Sequence, residues 1–159
     1  MRNPLFEDED YTLWWLLFQA QDTLFKAREK ELRQYGISPE EAAVLFIVRC
    51  LDNQAIPSEI SRWLFRKPHT VSGILNRMEK KRLVSKTKDL PKKNLVRVSL
   101  TDKGEQACDQ ASKIESVRQI MSSLSEQERQ QLSSHLETLQ DRALKELGID
   151  TKPPFPQCQ

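Results

Sequence analysis

Glycine is scarce in this 159-residue chain. Only 4 occur, and none forms the Gly-rich loop that cradles phosphates in nucleotide-binding proteins. Histidine is scarcer, with 2, so no Ser/His/Asp or Cys/His arrangement presents itself and no enzymatic activity is expected. The 3 cysteines, Cys50, Cys108 and Cys158, are widely spaced and odd in number. No CxxC pair or Cys/His ligand spacing exists, so neither a metal site nor a cofactor is expected. Cys50 reads as a small apolar residue buried on a helix. Long apolar runs are missing too: Leu13–Phe18 and Ala42–Val48 are far too short to span a bilayer. The acidic run Glu7-Asp8-Glu9-Asp10 has the wrong sign for a secretory signal. A cytoplasmic protein without membrane association is the expectation.

What is present is charge, unevenly placed. Hydrophobic residues make up 38% and charged residues 30%, a balance that buries a core rather than leaving the chain disordered. The net charge of +2 conceals three segments. Residues 1–61 hold 6 basic and 11 acidic residues, residues 62–103 hold 13 and 3, and residues 104–159 hold 6 and 9. A basic middle between acidic ends is the electrostatic footprint of a polyanion-binding protein.

The periodicity is mostly helical. From Asp10 to Tyr35, Leu13, Leu17, Ala20, Leu24 and Ala27 recur at steps of 4, 3, 4 and 3. Trp14, Phe18 and Phe25 form a second stripe beside them, and Gly36 reads as the left-handed cap. Two apolar stripes on one long helix call for a partner helix from another subunit. Ser38-Pro39-Glu40-Glu41 is a helix start with a capping box, and its helix ends near Asp52-Asn53. A short helix follows Pro57-Ser58, and Arg66-Lys67-Pro68 breaks it. The next helix, about His69 to Lys81, carries Val71, Ile74, Leu75 and Met78 on one face. Its other face holds Thr70, Ser72, Gly73, Asn76, Arg77, Lys80 and Lys81. Leu83–Lys88 and Leu95–Leu100 alternate as strands around a basic turn. One helix is expected from Thr101-Asp102 through Met121, and another, capped at Ser125 and Glu128, buries Leu132, Leu136, Leu139, Ala143 and Leu147. The proline-bearing tail, Lys152–Gln159, reads as extended or disordered.

Two helices joined by a tight turn, the second polar at its N-terminal end and basic beyond, are helix-turn-helix chemistry. Small polar side chains allow close approach to base edges, and Asn76 and Arg77 can donate in the patterns that the major groove accepts. A basic ribbon behind them is a wing, which contacts phosphate or the minor groove. The expected base readers are Thr70, Ser72, Asn76 and Arg77, with Gly73 on the same DNA-binding face. Lys86, Lys92, Lys93 and Arg97 are expected to hold the backbone, assisted by Lys67 and His69. Trp14, Phe18, Phe46 and Trp63 are candidate walls for a small aromatic ligand, although an aromatic stripe at helical spacing is more often core.

The run His69-Thr70-Val71-Ser72-Gly73-Ile74-Leu75-Asn76-Arg77-Met78-Glu79-Lys80-Lys81-Arg82-Leu83-Val84, with Val98-Ser99-Leu100-Thr101-Asp102-Lys103-Gly104 after it, closely resembles the MarR family (multiple-antibiotic-resistance regulators). The resemblance covers roughly residues 10–147. It implies a mainly α fold with a small β-wing: a winged helix-turn-helix at 36–104, dimerisation helices at 10–35 and 105–147, and a tail at 148–159. It further implies a homodimer on a palindromic operator in double-stranded DNA, with repression and release by a small phenolic or aromatic ligand as common behaviours. One departure stands out. The family's wing usually reads D-x-x-D-R-R, whereas this chain has Asp89, then Lys92, Lys93 and Asn94. Lysine is a flexible point charge, so this wing is expected to hold phosphate more than to discriminate sequence. Two other readings use the same scaffold. A protein-interaction module would need an exposed apolar face on the second helix, and a redox-responsive regulator would need a reactive thiol.

Overall fold

The structure, a computed structural model, describes residues 4–89, 91–92 and 94–154. Seven α-helices and one two-stranded sheet are described, in the order α1 (Glu9–Leu32), α2 (Pro39–Cys50), α3 (Pro57–Leu64), α4 (Pro68–Lys80), β1 (Val84–Thr87), β2 (Arg97–Leu100), α5 (Asp102–Ala111), α6 (Glu115–Met121) and α7 (Glu126–Glu146). This is the mainly α fold with a small β-wing that the sequence leads one to expect.

Local chemistry sets most of the boundaries. The Asp8 carboxylate accepts the Tyr11 N–H and starts α1, and a 3-10 turn over Arg33–Tyr35 ends in Gly36 at φ 68°. Ser38 and Glu41 close the capping box of α2 from both sides, at 3.1 Å and 3.0 Å. Asp52 and Asn53 then both adopt positive φ, which stops the helix. Ser125 and Glu128 cap α7 in the same reciprocal way.

The core lies in the middle of the chain. Leu45, Val48, Ile60, Val71, Ile74, Leu75, Met78, Val84 and Val98 are all buried within one cluster. β1 and β2 pair antiparallel, from Val84 opposite Leu100 to Thr87 opposite Arg97. Ala55 adds a bridge to Val98, its carbonyl accepting the Val98 N–H at 2.7 Å, so the loop before α3 forms a third edge of the wing base.

Three expectations need correction. The helix expected from Thr101 to Met121 is two helices, because Ile114 turns left-handed at φ 44°. The cap of α6 comes from far away in sequence. The Glu31 carboxylate accepts the Glu115 N–H at 2.8 Å and the Ser116 N–H at 3.2 Å, and also takes the Ser116 hydroxyl. Second, the leucine stripe of α7 is not buried within the protomer. Leu132, Leu136, Leu139 and Leu147 are exposed, and Leu144 is the buried residue. Third, Cys50 is half-buried, while Cys108 is the buried free thiol among the described residues.

Candidate nucleic-acid interface

α4 is amphipathic in the sense a reading helix requires. Val71, Ile74, Leu75 and Met78 are at most 1% exposed. His69, Ser72, Asn76, Arg77 and Lys80 are exposed on the other side, with Thr70 and Gly73 half-buried between. A Pro at the first helical position starts α4 without a side-chain cap, and the Thr70 and Val71 N–H groups donate to the Lys67 carbonyl at 3.0 and 3.2 Å. The turn into it is held by the Ser61 hydroxyl, which donates to the Arg66 carbonyl at 2.5 Å, and by Phe65 in a left-handed conformation at φ 51°.

The C-terminal end of α4 is clamped on two sides. Lys81 donates to both oxygens of the buried Glu41 carboxylate, at 2.9 and 2.8 Å, and to the Gly36 carbonyl at 3.0 Å. Lys103 donates to the Lys81 carbonyl at 2.9 Å. The Thr101 hydroxyl bonds the Arg82 carbonyl and receives the Gly104 N–H. Gly104 itself lies so close to Leu83 that a Cβ there would sit 2.0 Å from the Leu83 carbonyl oxygen. The Thr-x-Lys-Gly run after β2 is thus a joint between the reading helix, the wing and α5.

The basic residues divide into two groups. Lys86 on β1 is half-buried; its Nζ donates to Asn76 Oδ1 at 2.6 Å and lies 3.3 Å from Glu79 Oε2. Arg97 on β2 pairs with Asp89 and also reaches Thr87 and Gln54. Both are tied down by the wing's own chemistry. Lys67, Arg77, Lys88 and Lys92 have no ion pair or hydrogen-bonded side-chain partner among the described residues, and their charge faces solvent. Lys93 lies outside the described residues. Glu79 and Gln54 also organise this surface, yet composition gave no pointer to them, because each acts through a partner brought in by folding; Glu41 is legible as a helix cap but not as the partner of Lys81.

The aromatic candidates separate. Phe46 and Trp63, with Ala43, Ile47 and Leu64, line an almost wholly apolar cavity of about 170 Å³ between α2 and α3. Trp14 and Phe18 do not line it. They stand on the exposed face of α1, at 64% and 56% exposure, beside Leu13, Trp15 and Leu16. Behind the reading head, Arg49 on α2 binds Glu105 and Asp109 of α5, and Asn53 accepts the Leu100 N–H at 2.8 Å. The Cys108 thiol is pushed up to about 11, first by burial, with Arg49 opposing. A thiol so placed is a poor nucleophile.

Comparison with known proteins decides what this surface belongs to. Residues 37–104 match the family described as winged helix DNA-binding domain. No curated protein matches the chain significantly. Among solved structures, the organohalide-sensing transcriptional regulator RdhR, with 2,4-dichlorophenol bound, is 32% identical with a TM-score of 0.86, over 94% of this chain and 91% of its own. This chain belongs to the MarR family of DNA-binding transcriptional regulators. MepR of S. aureus in complex with DNA shares the MarR fold at 21% identity and a TM-score of 0.75, over 81% of this chain and 96% of its own. MarR of E. coli, as a cysteine-to-serine mutant on operator DNA, is alike at 21% and 0.75, over 80% and 93%. Among the described residues no helix is long and apolar enough to cross a membrane.

Proposed function

We propose that the chain is a homodimeric repressor that binds a palindromic operator and releases it when a small aromatic ligand binds. Residues 36–104 form the reading head. Residues 10–35 and 105–147 pair two copies of it. The observation that carries the DNA reading is α4, whose apolar face is sealed in the core while Ser72, Asn76 and Arg77 stand exposed. Arg77 has no partner among the described residues, so its planar fork is available to a guanine edge. Thr70, Ser72, Gly73 and Asn76 complete the base-facing surface. Lys67, His69, Lys92 and Lys93 hold phosphates beside it.

Pairing is supported by the exposed apolar residues of α1 and α7, Leu13, Trp14, Leu16 and Phe18 with Leu132, Leu136 and Leu139. A large side chain gains roughly 1.5–3 kcal/mol on full burial, so leaving such a set in water is costly. The ligand reading rests on the cavity at Phe46 and Trp63. About 150 Å³ accommodates a benzene ring, and the 170 Å³ here suits a single substituted ring of the class that RdhR binds. Binding of the purified protein to random duplex DNA, followed by sequencing, tests the whole reading. Enrichment of an inverted repeat is expected, and 2,4-dichlorophenol is the first ligand to try for release. Retention without any sequence preference would refute it.

A further inference from the structure

Resting on the proposal that α4 reads base edges, we infer that Lys86 is a specificity-determining residue, acting through Asn76 rather than through phosphate. Lysine's ammonium is a donor only. Whatever atom of the Asn76 carboxamide faces it at 2.6 Å must be the oxygen. The orientation of this side chain is therefore fixed by chemistry and not by the usual ambiguity between amide O and N. Glu79, one helical turn beyond Asn76 on α4, holds the same ammonium from its other side at 3.3 Å. Lys86 is half-buried between them. Asn76 is consequently held with its oxygen toward the wing and its NH2 left for a partner on the exposed face of α4.

That orientation restricts what Asn76 can recognise. Bidentate pairing with adenine needs both halves of the carboxamide at the base edge, the oxygen accepting from N6 and the NH2 donating to N7. The oxygen keeps a second lone pair, but Lys86 holds it toward the wing, so the NH2 is the group that Asn76 turns to the exposed face. An NH2 alone finds two acceptors on guanine, N7 and O6, or O4 on thymine, but only N7 on adenine, whose N6 amine is left without its acceptor. Arg77 strengthens the same preference. Its guanidinium, a donor only, folds back toward Gly73, where an added Cβ would meet Nη1 at 3.7 Å. Glu79 also neutralises Lys86, which removes it from the group of cations free to meet phosphate.

The test is selection from random duplex DNA by the full chain and by Lys86→Met, Asn76→Ala and the double variant, with thermal melting to confirm that each is folded. In the wild type, guanine or thymine is expected at the half-site position whose preference Asn76→Ala erases. Lys86→Met frees the carboxamide, and adenine at that position should gain on the order of tenfold, the worth of one well-formed pair. In the Asn76→Ala background Lys86→Met should change no base preference. Two results overturn the inference: adenine already preferred there in the wild type, or unchanged preferences in Lys86→Met with the salt slope reduced by about one, which makes Lys86 a phosphate ligand. A wild type that enriches no sequence at all overturns the DNA-reading proposal itself, and this inference with it.

Discussion

The reading head and its flanking helices solve the burial problem differently. From Ile37 to Val98 the large apolar side chains described in the head, Phe65 apart, find partners within the chain, and the polar groups beside them are matched: Glu41 by Lys81, Arg49 by Glu105, Asn53 by Leu100 N–H. α1 and α7 instead hold their apolar side chains outward, Trp14 at 64% and Leu136 at 45% exposure. Leu32 of α1 and Ala107, Cys108 and Ala111 of α5 complete the core of the head, whereas the outward faces of α1 and α7 suit something beyond the chain itself. On the account given above, that something is a second copy, and the comparison can be broken at either side.

Charging the flanks should have the largest effect. Trp14→Glu combined with Leu136→Glu is expected to dissociate the dimer while leaving the melting of the head nearly unchanged. Operator affinity should then fall on the order of a hundredfold or more, because the second head loses its effective concentration. Sedimentation and DNA titration of the same sample separate the two effects. Gly104→Ala attacks the head instead. Its Cβ meets a backbone carbonyl at 2.0 Å, which no rotamer change relieves, so a loss of about 3 kcal/mol or more in denaturant unfolding is expected. Glu41→Ala removes both the capping partner of Ser38 and the buried acceptor of Lys81. It should cost about 2 kcal/mol, since Lys81 is partly solvated and can recover water.

A pH dependence is expected at the junction of the two regions. Burial raises the Glu31 carboxyl, but the Ser116 hydroxyl, Arg28 and the Glu115 and Ser116 N–H groups outweigh it and hold the group at about 2, against an ordinary 4.5. A lowered folded value means that the unfolded chain binds the proton first as pH falls. The stabilisation is complete above about 4.5 and is lost progressively toward 2. Glu31→Gln should flatten that part of the stability–pH curve; an unchanged curve would mean that α6 does not depend on this cap.

Much of the head was legible because its signals are local. The Ser38-Pro39-Glu40-Glu41 start, the break at Lys67-Pro68, the one-sided face of α4 and the Thr-x-Lys-Gly joint each lie within a few residues. The misread places depend on distant partners. Apolar periodicity runs through residues 107–121 without a gap, while the helix breaks at Ile114 because Glu31 is there to cap a new start. Periodicity likewise showed that α7 has an apolar face but not that the protomer leaves it uncovered. Among the site residues, charge alone nominated Lys86 and Arg97 for phosphate. Folding brings Glu79 and Asp89 beside them, which a charge count along the chain does not register.

Sedimentation equilibrium of the full chain, free of DNA and at micromolar concentration, tests the central claim most directly. A species of twice the 18.5 kDa chain mass, reverting to one chain mass in the Trp14→Glu, Leu136→Glu variant, is the predicted result. A wild type that stays at one chain mass would contradict it.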